Sequence, residues 1–332
     1  MSRIAITMGC PAGIGPEIIL KYFKNKKKTD TSTPIVVGDI GVLRRTAEEL
    51  GIDIACTAWK PNSSIPDESI PVLAASELQL QNLQWGKPSR QTGLAMAAYI
   101  ETAVKLCQQE LVDGIATCPI SKLALQQSGY DYPGHTEMLA DLTGTGNFTM
   151  MMAGEKLRII LVTIHCSLRQ STKLLSLQSI YDRIKLTHRS LLTDFSIASP
   201  KIAVAGLNPH AGETGLFGSE EQESIIPAVE KACSEGLNVT GPLPPDTVFL
   251  KAVEGTYDAV VCMYHDQGLI PFKLLHFSDG VNVTIGLPVV RTSVDHGTAY
   301  DIAGKGVADS TSLNAAVKLA GVIATNRKKH GV

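Results

Sequence analysis

The feature that most constrains this chain is a series of short apolar runs with almost no polar alternation: Ile4–Met8, Pro34–Gly38, Gly114–Cys118, Phe148–Met152, Leu157–Ile164, Lys201–Leu207, Ala259–Tyr264 and Val281–Ile285. Near-continuous runs of this length are how strands covered on both faces of a parallel sheet read. Helical spacing fills many of the intervals. In Gly93–Gln108 the residues Leu94, Ala97, Ala98, Ile100, Val104 and Cys107 share a stripe. Ser219 and Gln222 have capping-box spacing ahead of Ile225, Ile226, Val229 and Cys233, and Gly236 is placed to stop that helix. Further helices are expected over about 178–194 and 312–324, the last followed by a charged tail (Arg327, Lys328, Lys329, His330) expected to fray. Strand–helix alternation predicts an α/β fold with right-handed crossovers. At roughly 150 residues per domain, 332 residues allow two domains. No internal repeat or low-complexity linker marks a boundary, and Asn62–Asp67 reads as a loop.

Composition narrows the class. The net charge of −2 and a pI near 6.5 supply no basic field for nucleic acid. An aromatic content of 5% argues against base-stacking platforms. The one charge run, Lys24 to Lys28, reads as a solvated helix end. Seven cysteines (Cys10, Cys56, Cys107, Cys118, Cys166, Cys233, Cys262) form no CxxC pair, so neither a zinc ribbon nor a disulfide framework is implied, and a reducing cytoplasm fits. The apolar stretch at the N-terminus is too short and too broken by Gly and Pro for a signal peptide. Glu155, Lys156, Arg158 and Lys318 interrupt the later apolar stretches, so no membrane span is expected.

Three histidines share one context. His165, His210 and His265 each follow an apolar run that reads as a strand. Ligands of open α/β sheets bind outside the carboxyl ends of the strands, where three neutral imidazoles would suit a catalytic divalent metal, zinc first, with magnesium, manganese or cobalt as alternatives. The competing reading is three unrelated loop histidines. His188, His276 and His330 read as structural or solvated. After His265, Asp266 is placed to orient a ligand or act as a base, and Lys273 brings a cation toward the same edge. Lys273 and Arg291 with the Asn282 amide are the donor types a phosphate needs, although each taken alone also reads as ordinary surface polarity. His135 and Thr136 in PGHTE follow a turn, where both could donate to an anion at a helix start.

MGCPAGIGPEI, residues 8–18, follows the first run and opens a helix; it matches neither GxGxxG nor the P-loop. Gly9, Gly13 and Gly15 would allow close backbone approach, either in a structural turn or in a site loop. HGTAYDIAGKGVAD, residues 296–309, has glycine-rich turns and an acidic residue suited to an adenosine pocket.

Together, GIGPE, GHTE, LNPHAGE, MYHDQG, GVN and RTSVDHGTA occur in the order found in the 4-hydroxythreonine-4-phosphate dehydrogenase family of vitamin B6 biosynthesis, which the chain resembles over nearly its whole length. HGTAYDIAGKGVAD also looks like the cofactor loop of isocitrate and isopropylmalate dehydrogenases, whose two-domain α/β/α fold the family shares. The resemblance implies an NAD-dependent oxidative decarboxylase acting on a secondary alcohol. It implies a divalent metal on His165, His210 and His265, with the site completed across a homodimer interface. It assigns His135, Thr136, Lys273, Asn282 and Arg291 to a small phosphorylated substrate, and Asp301 to the adenosine ribose. Gly13, Gly15 and His296 are the other cofactor candidates; Asp266 and Lys273 are the catalytic ones. By analogy with that fold, residues 1–131 plus 283–332 would form the cofactor-side domain, and 132–282 the metal, substrate and dimerisation domain.

Two departures stand out. Cys10 occupies a position that is usually acidic in the family, and GETGLFGSEE, residues 212–221, looks more like a catabolic branch acting on 4-phosphorylated threonate or erythronate. An NAD-independent metal-dependent phosphosugar aldolase, and a non-catalytic phosphometabolite sensor, are the rival classes; the 296–309 loop argues against both.

Overall fold

The computed structural model describes residues 1–26 and 32–332. In chain order the elements are β1 (Ser2–Thr7), α1 (Gly15–Asn25), β2 (Ser32–Gly38), α2 (Ile40–Glu49), β3 (Ala55–Ala58), β4 (Ser69–Ala74), α3 (Arg90–Gln108), β5 (Gly114–Thr117), α4 (Lys122–Gln127) and α5 (His135–Leu142). There follow β6 (Thr149–Ala153), β7 (Arg158–Leu161), α6 (Leu168–Leu174), α7 (Leu177–Thr193), β8 (Ile202–Ala205), α8 (Ile226–Ser234), β9 (Val239–Leu243), α9 (Val248–Val253), β10 (Ala259–Cys262), α10 (His265–Leu275), β11 (Val281–Ile285), β12 (Arg291–Val294) and α11 (Thr311–Lys329).

The chain divides into two compact units. Unit 1 comprises Met1–Gly146 and Leu287–Thr325; unit 2 comprises Asn147–Gly286 and Asn326–Val332. The breaks therefore fall after 146 and 286, where the sequence suggested about 131 and 282, and His135 and Thr136 belong to unit 1. Unit 1 carries six parallel strands in the order β3-β4-β2-β1-β5-β12. Unit 2 has the order β11-β6-β7-β10-β8-β9, antiparallel at β11–β6–β7 and parallel from β7 onward. In β5, β8 and β10 every residue is buried, and because side chains alternate between faces, each of these strands is covered on both sides. The core of unit 2 gathers Ile159, Leu161, Val260, Cys262, Leu269 and Phe272.

The runs read as strands are strands, within a few residues at their ends. Four strands were not read: β3, β4, β9 and β12. The expected capping box at Ser219 does not form. A π-helical turn over Glu221–Ile225 precedes α8, its N-cap Glu220 makes no side-chain cap, and the Gln222 side chain lies against Gly215. Gly236 does end α8, at φ +85°. Lys27 and Lys28 of the charge run lie outside the described residues, and α1 ends at Asn25 with Lys24 in its last turn.

The expected fraying of the tail is also corrected, because α11 continues to Lys329. Arg327 Nε lies 2.6 Å from Asp194 Oδ1, and Asn326 Nδ2 donates to the Asp194 carbonyl at 2.9 Å. The Asp194 side chain is 2% exposed and that of Arg327 10%. Removing one member of a pair this deeply buried leaves an uncompensated charge and costs about 3 kcal/mol or more. Asp194→Ala is therefore expected to lower the unfolding free energy by about 3 kcal/mol in urea titrations; an unchanged midpoint would show that the pair does not anchor the terminus.

Candidate active site

In unit 2, β7, β10 and β8 are adjacent and parallel, so their carboxyl ends lie along one edge. His165, His210 and His265 follow these three strands. The His165 and His265 rings come to 6.0 Å between centroids beside a pocket of about 460 Å³ lined by Thr163, His165, Cys166, Tyr264, His265 and Asp266. Asp266 sits 2.6 Å from His265 Nδ1, which fixes the ring and leaves Nε2 to face a ligand. The His210 ring packs toward Phe217, at 6.1 Å. Among the described residues no group of three or more His, Cys, Asp or Glu side chains is close enough to hold a metal ion. The donor chemistry of His165 and His265, with a carboxylate behind one ring, fits two ligands of an imidazole metal site.

The loop carrying His210 has an uncommon backbone. His210, Ala211, Gly212, Glu213 and Thr214 have φ of 52°, 53°, 79°, 40° and 57°, a left-handed turn. Non-glycine residues in that region cost roughly 1–2 kcal/mol each, and the surroundings must impose the shape. Buried Glu221 does so: its carboxylate accepts from the Leu207 and Asn208 amides, both at 2.7 Å, and from Asn208 Nδ2 at 2.9 Å. Glycine is required at 212, where a Cβ would lie 2.6 Å from Glu221 Oε2. Buried Gln267 ties the neighbouring strand ends together, accepting from Met263 N at 2.6 Å and donating to Gly206 O at 2.7 Å. Neither Glu221 nor Gln267 stood out in the sequence.

HDQGLIPFK is helical. His265 begins α10, and Lys273 lies in its last turn, about 12 Å further along the axis at 1.5 Å per residue. Asp266 lies in the first turn of the same helix, so the two side chains stand at its opposite ends. Asn282, in β11, donates to Met150 Sδ at 3.0 Å, and its buried Oδ1 has no partner. His276 is structural, as expected: it is buried, accepts from the Lys156 amide at 3.3 Å, and occupies space that a Cβ on Gly154 would fill.

In unit 1, His135 opens α5 with Thr136 beside it, and Arg291 opens β12. Arg291 is 3% exposed and donates Nη2 to Thr117 Oγ1 at 2.9 Å. Burial pushes its pKa down to about 10. Burial, together with the Arg291 charge, holds His135 well below the usual imidazole value, so the ring is neutral. Its buried Nε2 has no partner. A neutral imidazole with an unused nitrogen at a helix start, next to a buried guanidinium, is a ready seat for an anion.

Also in unit 1, the space at Gly13 and Gly15 is taken by the chain itself. A Cβ on Gly15 would lie 2.0 Å from Met8 O and one on Gly13 3.0 Å from Thr298 O. The close approach these glycines permit is thus to the protein's own backbone. The 296–309 loop retains features suited to a dinucleotide: Asp301 is exposed, and the buried His296 Nε2 has no partner. Cys10 is buried against Tyr300 of that loop, whose hydroxyl lies 3.4 Å from its sulfur, and burial raises the thiol pKa. A neutral thiol therefore stands in this position.

The His135 shift carries a stability signature. Its folded value lies below the unfolded one, near 6.5, so the unfolded chain binds more protons between the two and stability falls as pH drops through about 6.5. From pH 7.5 to 5.5, in phosphate-free buffer, the wild type is expected to lose about 1 kcal/mol more than His135→Gln. Equal losses in urea titrations would mean that the imidazole titrates normally.

The family model described as pyridoxal phosphate biosynthetic protein PdxA matches residues 30–320. The 4-hydroxythreonine-4-phosphate dehydrogenase of Desulforapulum autotrophicum is 50% identical over 324 residues, covering 97% of this chain and 95% of its own. The D-threonate 4-phosphate dehydrogenase of Cupriavidus necator is 45% identical over 327 residues, covering 98% of both chains. The crystal structure of the 4-hydroxythreonine-4-phosphate dehydrogenase from Klebsiella pneumoniae superimposes with a TM-score of 0.90 at 45% identity, covering 97% of this chain and 98% of the other. With a family model matched over most of its length and relatives covered almost end to end, the chain belongs to the PdxA family.

Proposed function

We propose that the protein is an NAD- and divalent-metal-dependent dehydrogenase that oxidises and decarboxylates 4-hydroxythreonine 4-phosphate. The observation that supports this reading is the buried His135–Arg291 pair, in which an imidazole with an unpartnered Nε2 lies within the field of a guanidinium, a combination suited to a phosphate. A second reading, the same chemistry on 4-phospho-threonate or 4-phospho-erythronate, is favoured by the 45% identity to the Cupriavidus enzyme and by the 212–221 segment.

Phosphate binding at His135, Thr136 and Arg291, with Lys273 and Asn282 as the other substrate candidates, would fix the remote end of the substrate and orient its reacting carbon. His165, His210 and His265 are the residues that would hold the metal, which supplies Lewis-acid polarisation of a substrate oxygen. When bound, NAD would supply the hydride acceptor, and Asp301 and His296 are the residues that would hold its adenosine end. Asp266 holds His265 in one orientation, and its exposed carboxylate is the candidate acceptor for the substrate hydroxyl proton. Lys273 is the other catalytic candidate.

A homodimer fits the surface of α10. Ile270, Leu274 and Phe277 are 62%, 82% and 80% exposed, at helical spacing on and just beyond the helix that carries His265 and Lys273. A second copy is the cover proposed for these side chains. Leu274→Asp is expected to shift light-scattering mass from dimer to monomer and to abolish turnover; a dimeric, active variant would remove α10 from the interface.

The reaction is tested by following NADH absorbance with 4-hydroxythreonine 4-phosphate, 4-phosphothreonate and 4-phosphoerythronate on one preparation, before and after chelation. Metal-dependent NADH from one of them is the expected result, and the substrate with the highest kcat/KM decides between the two readings. No NADH from any of the three would overturn both, in favour of an NAD-independent aldolase.

A further inference from the structure

Glu17 is the acid of the GIGPE turn and lies in the first turn of α1. It is 1% exposed, and no step of the reaction uses it. A carboxylate that deep needs several partners. It accepts from the Ala308 amide at 2.7 Å and from the Gly306 amide at 3.3 Å. Lys21, one turn further along α1, lies 2.9 Å from the same carboxylate. Its ammonium donates to the Gly306 carbonyl at 2.8 Å and to the Ala308 carbonyl at 2.6 Å. One ion pair thus binds both the N–H and the C=O groups of Gly306 and Ala308. Gly306 has φ +73°, so this segment belongs to no regular ladder that could satisfy these groups instead.

The rest of the loop is gripped in the same way. Ile14 N donates to Thr298 O at 3.2 Å, the Tyr300 hydroxyl meets Cys10, and the Trp85 ring fills the space where Gly304 would carry a Cβ. Between these clamps the turns Ile302 N to Ala299 O and Lys305 N to Ile302 O, both 3.1 Å, leave Asp301 and Lys305 exposed. Neither the Asp301 nor the Lys305 side chain takes part in these clamps, and both remain exposed to a ligand. A loop ordered in advance does not subtract its ordering entropy from the binding free energy.

We propose that the Glu17–Lys21 ion pair is a positioning device that sets dinucleotide affinity by holding the 296–309 loop in its binding shape, without touching the ligand. This inference rests on the reading that the loop receives the adenosine end of NAD. The test compares wild type, Glu17→Gln and Lys21→Met. Glu17→Gln leaves no buried charge and keeps an oxygen for the two amides, while Lys21 is 24% exposed in its side chain, so Glu17→Gln preserves folding if Lys21→Met does not. Each variant is titrated with NAD and, separately, with inorganic phosphate, and hydrogen exchange is followed at the Gly306 and Ala308 amides. Both variants are expected to bind NAD about tenfold more weakly, the loss of one charge-assisted hydrogen bond. Phosphate affinity should be unchanged and exchange at the two amides faster. Unchanged NAD affinity in a variant whose amides exchange faster would overturn the inference alone. Equal weakening toward NAD and phosphate would reveal general destabilisation and overturn it too. A wild-type protein that binds no NAD would overturn the cofactor reading together with the inference.

Discussion

In both units the inner parallel strands are packed on both faces, so their flanks cannot carry polar chemistry without a buried and unpaired group. The strand ends are the remaining place for it. His165, His210 and His265 follow β7, β8 and β10, Thr117 ends β5, and the GIGPE turn follows β1. Burial of the sheet thus determines where a ligand can be met, while the loops determine what is met there.

Those loops cannot rely on sheet or helix ladders, and each is held by a buried polar residue. Glu221 shapes the left-handed turn at His210, and Gln267 binds the end of β10 to the end of β8. Glu17 with Lys21 secures the glycine-rich loop at 306–308, and Thr117 supports Arg291. Glu221, Gln267 and Glu17 are charged or amide groups at nearly full burial, tolerated because each makes two or more hydrogen bonds. The residues proposed to meet a ligand are by contrast exposed or incompletely bonded: Asp301, Asp266 and His135 Nε2. Rigidity and reactivity are assigned to different side chains.

Which parts were legible in the sequence follows from how locally each is determined. Runs such as Ala259–Cys262 announce themselves because both faces must be apolar. β3 and β9 are edge strands of their units, and β4 and β9 contain Pro71 and Pro242, which read as breaks. β12, with the sequence RTSV, is polar yet buried throughout, because Thr292 donates to Ala316 O and Arg291 to Thr117, partners far away in the chain. The same reason hid Glu17 and Glu221: their partners are backbone amides in other loops. The His165–His265 approach was foreseeable from strand-end context, while the distance of Lys273 along α10 was not, since Gly268 and Pro271 interrupt the helical pattern of HDQGLIPFK. The glycines at 13 and 15 were correctly seen as points of close approach, but the partner is the chain's own backbone.

The central claim is that unit 1 presents a neutral imidazole beside a buried guanidinium as a seat for phosphate. Histidine side-chain NMR of the ligand-free protein, repeated with saturating inorganic phosphate, reads it directly. The His135 ring is expected to remain neutral down to well below pH 6.5 without phosphate, and to shift its resonances and gain a higher pKa when the anion binds. A ring that titrates near 6.5 and does not respond to phosphate would contradict the claim.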